Sequence, residues 1–534
     1  MEVVTGWRWI TETKQARDSW KSKIGVILAA AGSAVGIGNF LRFPGVAAQN
    51  GGGAFMIPYF VSFVLIALPL CWVEWTMGRY GGIFGRGTSP AVFDRLGGGK
   101  RKWLKYLGVL GVSGSLGIDF YYIYVESWTL GYTAFSLTGK YAGMKSPDQV
   151  GAFLSSFLSG SGEYFHSIWP LYICFLVTFF CNFWVLYHGV SKGIERFCKI
   201  TMPLLFILAV ILVIRVFTLG APYRPEWSVN GALGFLWNPD FSILKNGKVW
   251  LAAAGQVFFS TSVGIGVLMT YATYLKPKDD ILLPATSACF LNEMAEVVLG
   301  ASIVIPAAFL FFGPADTQTA IAGGTFGLAF RTTPLIFNSM PWGGLFGFLW
   351  FLLLFIACVT SSVSILQPGI AFLEEEFHFS RKRCVLCIGA LVFAVAHLAI
   401  FGDGVVDVMD FWFSEFGLPM FGLIEALVFV FIFGKTRGWE EMTRNSAIRL
   451  PRFFRPIVFG VMPLFLATIL ITWLVSDGWQ KVLMLKRGAD GHLVSLYTPS
   501  QLPWVIATTL VVLATTAGFC WLIRLAWKSP QHRE

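Results

Sequence analysis

Apolar residues in this chain neither alternate nor recur at helical intervals between polar faces. They run on, in long stretches separated by short polar connections. A helix needs about 20 apolar residues to cross the hydrocarbon layer of a bilayer. Twelve stretches qualify, near 24–48, 54–80, 103–137, 167–187, 191–217, 248–275, 281–312, 343–373, 384–401, 404–434, 456–476 and 501–526. Their ends are set to about four residues. Several are longer than a perpendicular crossing requires, so tilt, kinks or extension beyond the bilayer are expected. The short alternating segments of an outer-membrane barrel are absent. The pattern predicts an all-α integral membrane protein with twelve transmembrane helices.

The connections carry the charge. Arg8, Lys14, Arg17, Lys21 and Lys23 precede the first span. Residues 81–105 hold Arg86, Arg95, Lys100, Arg101, Lys102 and Lys105, and residues 435–455 hold six further Lys and Arg. Residues 402–410, on the opposite side in a twelve-span arrangement, hold three Asp and no cation. Excess Lys and Arg mark the cytoplasmic side, which predicts a plasma (bacterial inner) membrane protein with both termini cytoplasmic. No short apolar run with a small-residue cleavage site opens the chain, so no signal peptide is expected. The longer outer loops fall at 138–166, 218–247, 313–342 and 477–500, the third reading as a hairpin on the membrane surface.

Composition agrees. The chain of 534 residues is 55% hydrophobic and 13% charged, about half the charge of an average soluble domain. That excludes a soluble enzyme, a disordered chain and a collagen-like fibre. The net charge of +10 is mostly topology, so no nucleic-acid partner is needed. Cys384 and Cys387 form a C-x-x-C without a second ligand pair and read as helix packing. No H-E-x-x-H, Walker A or G-x-S-x-G occurs, so nothing points to a zinc hydrolase, ATP hydrolysis or acyl transfer.

Two spans are interrupted. Span one contains Gly32-Ser33-Ala34-Val35-Gly36-Ile37-Gly38-Asn39-Phe40-Leu41-Arg42-Phe43-Pro44, and span six contains Gly255-Gln256-Val257-Phe258-Phe259-Ser260-Thr261-Ser262-Val263-Gly264-Ile265-Gly266. Each places a Gly-x-Gly at mid-membrane. One such stretch alone reads as close helix packing through small residues. Two, five spans apart in a chain whose first ten spans divide into halves of five, mark the site of an inverted-repeat transporter. Unwound backbone is tolerated at that depth only where it lines a cavity or is buried in protein. It frees N–H groups for an anion and carbonyls for a hard cation. Asn39, Ser260, Asn292, Thr360 and Ser361 can complete a cation shell without a carboxylate. Together these features fit a zwitterion bound beside a small monovalent cation.

These residues, with Asn50 to Tyr59, Glu74-Trp75-Thr76-Met77-Gly78-Arg79, Tyr121-Tyr122-Ile123-Tyr124, Asn292-Glu293-Met294-Ala295-Glu296, Thr360-Ser361-Ser362, Gln367-Pro368 and Asp410-Phe411-Trp412, resemble the neurotransmitter:sodium symporter family in order along essentially the whole chain. The likeness is greatest to its bacterial leucine transporters. The resemblance implies the LeuT-like fold, a 5+5 inverted repeat with helices 1 and 6 broken. Residues 1–23 would be a cytoplasmic segment, 24–217 the first repeat, 218–247 an extracellular loop, 248–434 the second repeat, and 435–534 the last two spans and the tail. It implies one sodium held by Ala34, Asn39, Ser260, Asn292 and the substrate carboxylate, and a second by Gly32, Val35, Ala357, Thr360 and Ser361. The substrate carboxylate would meet Gly36, Gly38 and Tyr122, and the amine would meet carbonyls near Ala34, Phe259 and Ser260 and the Ser262 hydroxyl. Ile37, Ile118, Phe259, Ser262, Ile265 and Ile365 would surround the side chain, with Ser361 beside them. Arg42 and Asp410 resemble an outer gate. Arg17 and Glu375, with Trp20 and Tyr274, resemble an inner one.

Several positions depart from the family pattern. Monoamine carriers have Asp where this chain has Gly36, so the substrate here is expected to bring its own carboxylate. With an apolar pocket and no basic residue in it, neutral, mainly hydrophobic amino acids are the expected cargo. Chloride-dependent relatives have Ser where this chain has Glu296, and bind chloride near Tyr59, Gln256 and Ser260. A fixed carboxylate there replaces the anion, so no chloride is expected. Asp119 stands where a small residue is usual, leaving open whether it bonds a neighbouring helix or edges the pocket. Glu74, Glu126, Glu293 and Glu425 read as structural hydrogen-bonding partners. A non-transporting sensor, a channel or a carrier of another small zwitterion or amine on the same fold stays open at this point. So do the sodium stoichiometry and the oligomeric state, a homodimer among the options.

Overall fold

The computed structural model describes residues 18–321, 324–487 and 492–528. Arg17, expected at the inner gate, lies outside them. Among the described residues, nine helices are long and apolar enough to cross a membrane: Gly53–Ile83, Trp169–Tyr187, Val190–Phe217, Leu282–Gly313, Gly343–Glu376, Arg381–Phe401, Val405–Phe433, Phe454–Ser476 and Leu502–Ala526. They fall on spans two, four, five and seven to twelve. The other three expected spans are helical as well. Span three is the single helix Leu104–Thr138, made less apolar by Asp119, Glu126 and its hydroxyls. Span one is divided into Lys23–Ala34, Ile37–Phe40 and Arg42–Gln49, and span six into Gly247–Ser260 and Val267–Ala272.

Spans one, three, six and eight form the interior. Span eight packs along span three, and the first segment of span one lies against spans five, seven and eight. Spans four, five, nine, eleven and twelve surround them and present apolar side chains outward, among them Phe180, Trp184, Ile207, Leu386, Leu464, Val475, Leu510 and Trp521. That distribution suits hydrocarbon as the outer solvent. Asn182 of span four instead points inward, its Nδ2 donating to Glu126 at 2.9 Å.

Both described ends of the chain reach the same face of the bundle. Trp20 is buried beneath the end of span six: its Nε1 donates to the Tyr271 carbonyl at 2.9 Å, and its ring meets those of Tyr271 and Tyr274 edge-on. Trp527 donates to Glu376 Oε2 at 2.8 Å, and Lys105 Nζ lies 4.2 Å from its ring centroid. On that face Arg79, fully buried, pairs with Glu441 of the helix Lys435–Thr443 at 2.8 Å and donates to the Asp279 carbonyl, also at 2.8 Å. The opposite face carries the long loops. Residues 147–159 form a helix whose cap Ser146 accepts from Gln149 N at 3.2 Å. In the third loop the expected hairpin is helical, with Gly324–Gly327 and Thr333–Asn338 following a kink at Gly313, where φ is 79°. In the last, strands Leu485–Arg487 and Leu493–Ser495 pair antiparallel.

Candidate functional site

The first break follows from what its residues leave unpaired. The helix ends at Ala34; Val35 and Gly36 are extended, and the Gly36 N–H donates to Asn39 Oδ1 at 2.8 Å. Asn39 therefore restarts the helix. In span six, Ser262, Gly264 and Gly266 have φ of 54°, 76° and 72°. Gly264 allows no side chain, because a Cβ there would approach the Leu418 carbonyl to 2.6 Å. Its N–H donates to Glu74 Oε1 at 2.6 Å. Glu74 thus caps the second break, as its expected structural role requires.

The two breaks face each other. Ser262 Oγ donates to the Ser33 carbonyl at 2.8 Å, tying one to the other. Between them lies a cavity of about 70 Å³. A cavity must offer at least about 10–15 Å³ to hold one water, and this one offers several times that. Every residue expected at the substrate lines it. Ala34, Gly36, Ile37 and Gly38 come from span one, and Phe259, Ser260, Ser262 and Ile265 from span six. Ile118 and Tyr122 come from span three, and Ser361 and Ile365 from span eight. Tyr121, Ser414 and Leu418 line it too, and the sequence reading missed their part in the pocket. Tyr121 lies within a motif already singled out, but nothing in the spacing of span ten marks Ser414. A Cβ built on Gly36 would stand 3.0 Å from Ser361 Oγ and 3.4 Å from the Tyr122 hydroxyl.

Beside the cavity, oxygens converge. Asn292 Oδ1 lies 3.0 Å from the Ser260 carbonyl and 3.2 Å from the Ala34 carbonyl, and accepts from Asn39 Nδ2 at 2.7 Å. Turning the Asn292 amide over would let its nitrogen donate to both carbonyls. It would also set two amide nitrogens 2.7 Å apart and point an amide oxygen at the Glu296 carboxylate. A cation among the oxygens removes the conflict without either clash. The donor set, two carbonyls and the Asn292 amide oxygen with the Ser260 hydroxyl nearby, suits a hard cation such as sodium.

A second convergence sits where span one meets span eight. Ser361 Oγ lies 3.3 Å from the Gly32 carbonyl, 3.2 Å from Ser33 O and 3.4 Å from Val35 O. Thr360 Oγ1 is 3.0 Å from the Ala357 carbonyl. The five residues expected around the second sodium are thus brought together. With Ser33 O already served by Ser262 Oγ, one Ser361 proton is left to the carbonyls of Gly32 and Val35 and cannot serve both.

Glu296 is fully buried. Its Oε1 accepts from Gln256 Nε2 at 2.5 Å and its Oε2 from Asn39 Nδ2 at 3.2 Å. The Tyr59 hydroxyl donates to Glu293 Oε1 at 3.0 Å, and Ser260 Oγ accepts from Asn292 Nδ2 at 3.3 Å. Of the residues the resemblance associates with chloride, Tyr59, Gln256 and Ser260, Gln256 bonds Glu296 directly. Asp119 turns away from the cavity and accepts from Ser362 Oγ at 2.7 Å, so it bonds a neighbouring helix.

The gates are asymmetric. Arg42 and Asp410 are not within ion-pair distance of each other. The Arg42 guanidinium stacks 4.1 Å from the Phe259 ring centroid, and Asp410 Oδ1 accepts from the Tyr121 hydroxyl at 2.6 Å. The two residues expected as an outer gate thus stand apart. On the inner side Glu375 accepts from the Gly87 N–H, and Gln367 Nε2 donates to the Tyr274 hydroxyl at 2.7 Å.

Comparison with known proteins follows the same lines. The model of the sodium:neurotransmitter symporter family matches residues 17–149 and 154–486. A sodium-dependent transporter of Methanocaldococcus jannaschii is 30% identical over 460 residues, covering 85% of this chain and 89% of its own. A sodium-dependent dopamine transporter of Caenorhabditis elegans is 27% identical over 504 residues, covering 83% and 78%. The crystal structure of MhsT in complex with L-phenylalanine superposes with a TM-score of 0.71 at 29% identity, covering 85% of this chain and 99% of that one.

Proposed function

The chain belongs to the sodium:neurotransmitter symporter family and is a sodium-coupled membrane transporter rather than an enzyme, and from that premise we propose that its cargo is a neutral, mainly hydrophobic amino acid, carried with two sodium ions by alternating access and without chloride. The observation that carries the reading is the cavity at the facing breaks. No Asp, Glu, Lys, Arg or His side chain lines it, and Gly36 leaves open the space a substrate carboxylate requires. The amino-acid complex of MhsT, on a fold this similar, supports the same class. Ala34, Asn39, Ser260 and Asn292 hold one sodium, whose shell the substrate carboxylate completes. Gly32, Val35, Ala357, Thr360 and Ser361 hold the other. Glu296 supplies the negative charge that chloride supplies elsewhere. The Lys and Arg bias of the connections supports cytoplasmic termini, in a plasma membrane protein on this reading.

Each sodium moving down 100 mV contributes about 2.3 kcal/mol before its concentration gradient is counted. Two give about 4.6 kcal/mol, roughly three decades of accumulation. The test is uptake into proteoliposomes. An inward sodium gradient is expected to drive concentrative uptake of a neutral amino acid, undiminished when gluconate replaces chloride. A sensor would bind without accumulation, and a channel would dissipate the gradient without it. Accumulation of amines but not of amino acids would overturn the reading.

A further inference from the structure

The polar groups of the cavity fall into two sets. One belongs to the breaks, where Ser262 and Ser361 direct their hydroxyls at span-one carbonyls. The other lies on the wall made by spans three and ten, where Tyr121 and Ser414 stand among Ile118, Ile265, Ile365 and Leu418. Ser414 is buried, in the π-helical stretch Phe411–Phe416. Ser115, Ser136 and Ser364 bond back to the carbonyl four residues earlier, whereas Ser414 reaches across to the Tyr121 hydroxyl at 2.8 Å.

That contact has a direction. A carboxylate only accepts, so the Tyr121 proton goes to Asp410 Oδ1, 2.6 Å away. The Tyr121 oxygen is then left to accept, and Ser414 is the donor to it. The Ser414 hydroxyl then keeps only acceptor capacity, in a residue that lines the cavity. Its remaining lone pair is open to a donor on the substrate.

We propose that Ser414 Oγ accepts a hydrogen bond from the tip of the substrate side chain, so that the pocket favours amino acids ending in an indole N–H or a phenol O–H over those of the same shape without a donor. This rests on the amino-acid reading above and narrows it. Tyr121 and Asp410 act as positioning residues, setting the direction in which Ser414 points its proton.

The test is displacement of radiolabelled L-phenylalanine from the purified, detergent-solubilised transporter in sodium chloride, with two competitor pairs. The first is L-tyrosine against L-phenylalanine. The second is L-tryptophan against its benzothiophene isostere, which has sulfur where the indole has N–H. The donor-bearing member of each pair is expected to compete about three- to tenfold better, the usual range for one hydrogen bond. Ser414→Ala is expected to bring both ratios to about one, and Ser414→Thr to keep them. Ratios at or below one in the unaltered protein overturn the proposal, and so do unchanged ratios in Ser414→Ala. If Ser414→Ala does not fold, the unaltered protein's ratios decide alone. Should no amino acid bind in sodium, the amino-acid reading falls and the proposal with it. Sodium-dependent binding with unit ratios overturns the proposal only.

Discussion

Gly36→Asp is expected to exchange one substrate class for another. The position tolerates little: a Cβ there lies 3.4 Å from the Tyr122 hydroxyl and 3.0 Å from Ser361 Oγ. The carboxyl group, one bond further, enters the space proposed for the substrate carboxylate. Two like charges about 4 Å apart at an effective dielectric of about 20 repel by about 4 kcal/mol. That is nearly three decades in affinity. An amine without a carboxylate escapes the repulsion, because the new side chain completes the sodium shell in its place. Gly36→Ala isolates the steric part: Ser361 Oγ must yield by a few tenths of an ångström, expected to weaken binding only about tenfold. The assay is sodium-dependent binding of a radiolabelled neutral amino acid, displaced by that amino acid and by its decarboxylated amine. Gly36→Asp is expected to lose the amino acid about a thousandfold and to gain the amine. Amino-acid affinity within tenfold of the starting protein would refute the assignment of this space to the carboxylate.

Glu296→Ser removes the buried carboxyl group between Gln256 and Asn39, and uptake by this variant is expected to require chloride; equal uptake in chloride and gluconate would count against the proposed role. Asp119→Leu leaves the buried Ser362 hydroxyl without its acceptor, a loss of about 1–3 kcal/mol, whereas Asp119→Asn keeps an acceptor oxygen; thermal unfolding in detergent is expected to fall for Leu and hold for Asn. Arg79→Met leaves the Glu441 carboxylate with only the half-exposed Arg444, 3.6 Å away, a loss of at most the about 3–5 kcal/mol of a fully broken buried pair; a drop in unfolding temperature is expected, recovered in part by adding Glu441→Gln.

The spans were legible because hydrocarbon is an unforgiving solvent: twelve apolar runs could hardly be anything else, and helices occupy all twelve. The breaks were legible because two glycine pairs recur five spans apart, where one alone reads as helix packing. Residues with a side chain beside the breaks were also legible, Asn39 and Asn292 among them. Ser414 was not. Whether it faces the pocket depends on a π-helical stretch in span ten that rotates the residues following Asp410, and no pattern in Phe411–Phe416 announces that shift. The partner of Asp119 was beyond sequence for a related reason, since the register between spans three and eight decides it. The arrangement of Arg42 and Asp410 reflects a conformational state, which one sequence shares among all its states.

The breaks, rather than the helices around them, carry the coupling. Unpaired backbone inside a membrane costs several kcal/mol per group, so it persists only where something takes up what it frees. Asn39 takes the Gly36 N–H. The carbonyls fare worse: Ser262 serves that of Ser33, but those of Gly32 and Val35 share one Ser361 hydroxyl, and those of Ala34 and Ser260 meet the Asn292 oxygen. Both places are rich in acceptors and poor in protons. At one, span one meets spans six and seven; at the other it meets span eight. A cation at each joins span one to both sets of neighbours, and its departure leaves oxygen against oxygen. A ligand shifts a conformational equilibrium only by its differential affinity for the states. Under the proposed alternating access, carbonyls that converge here and part when span one moves would supply that difference, making the position of span one and the occupancy of the proposed sodium sites a single equilibrium.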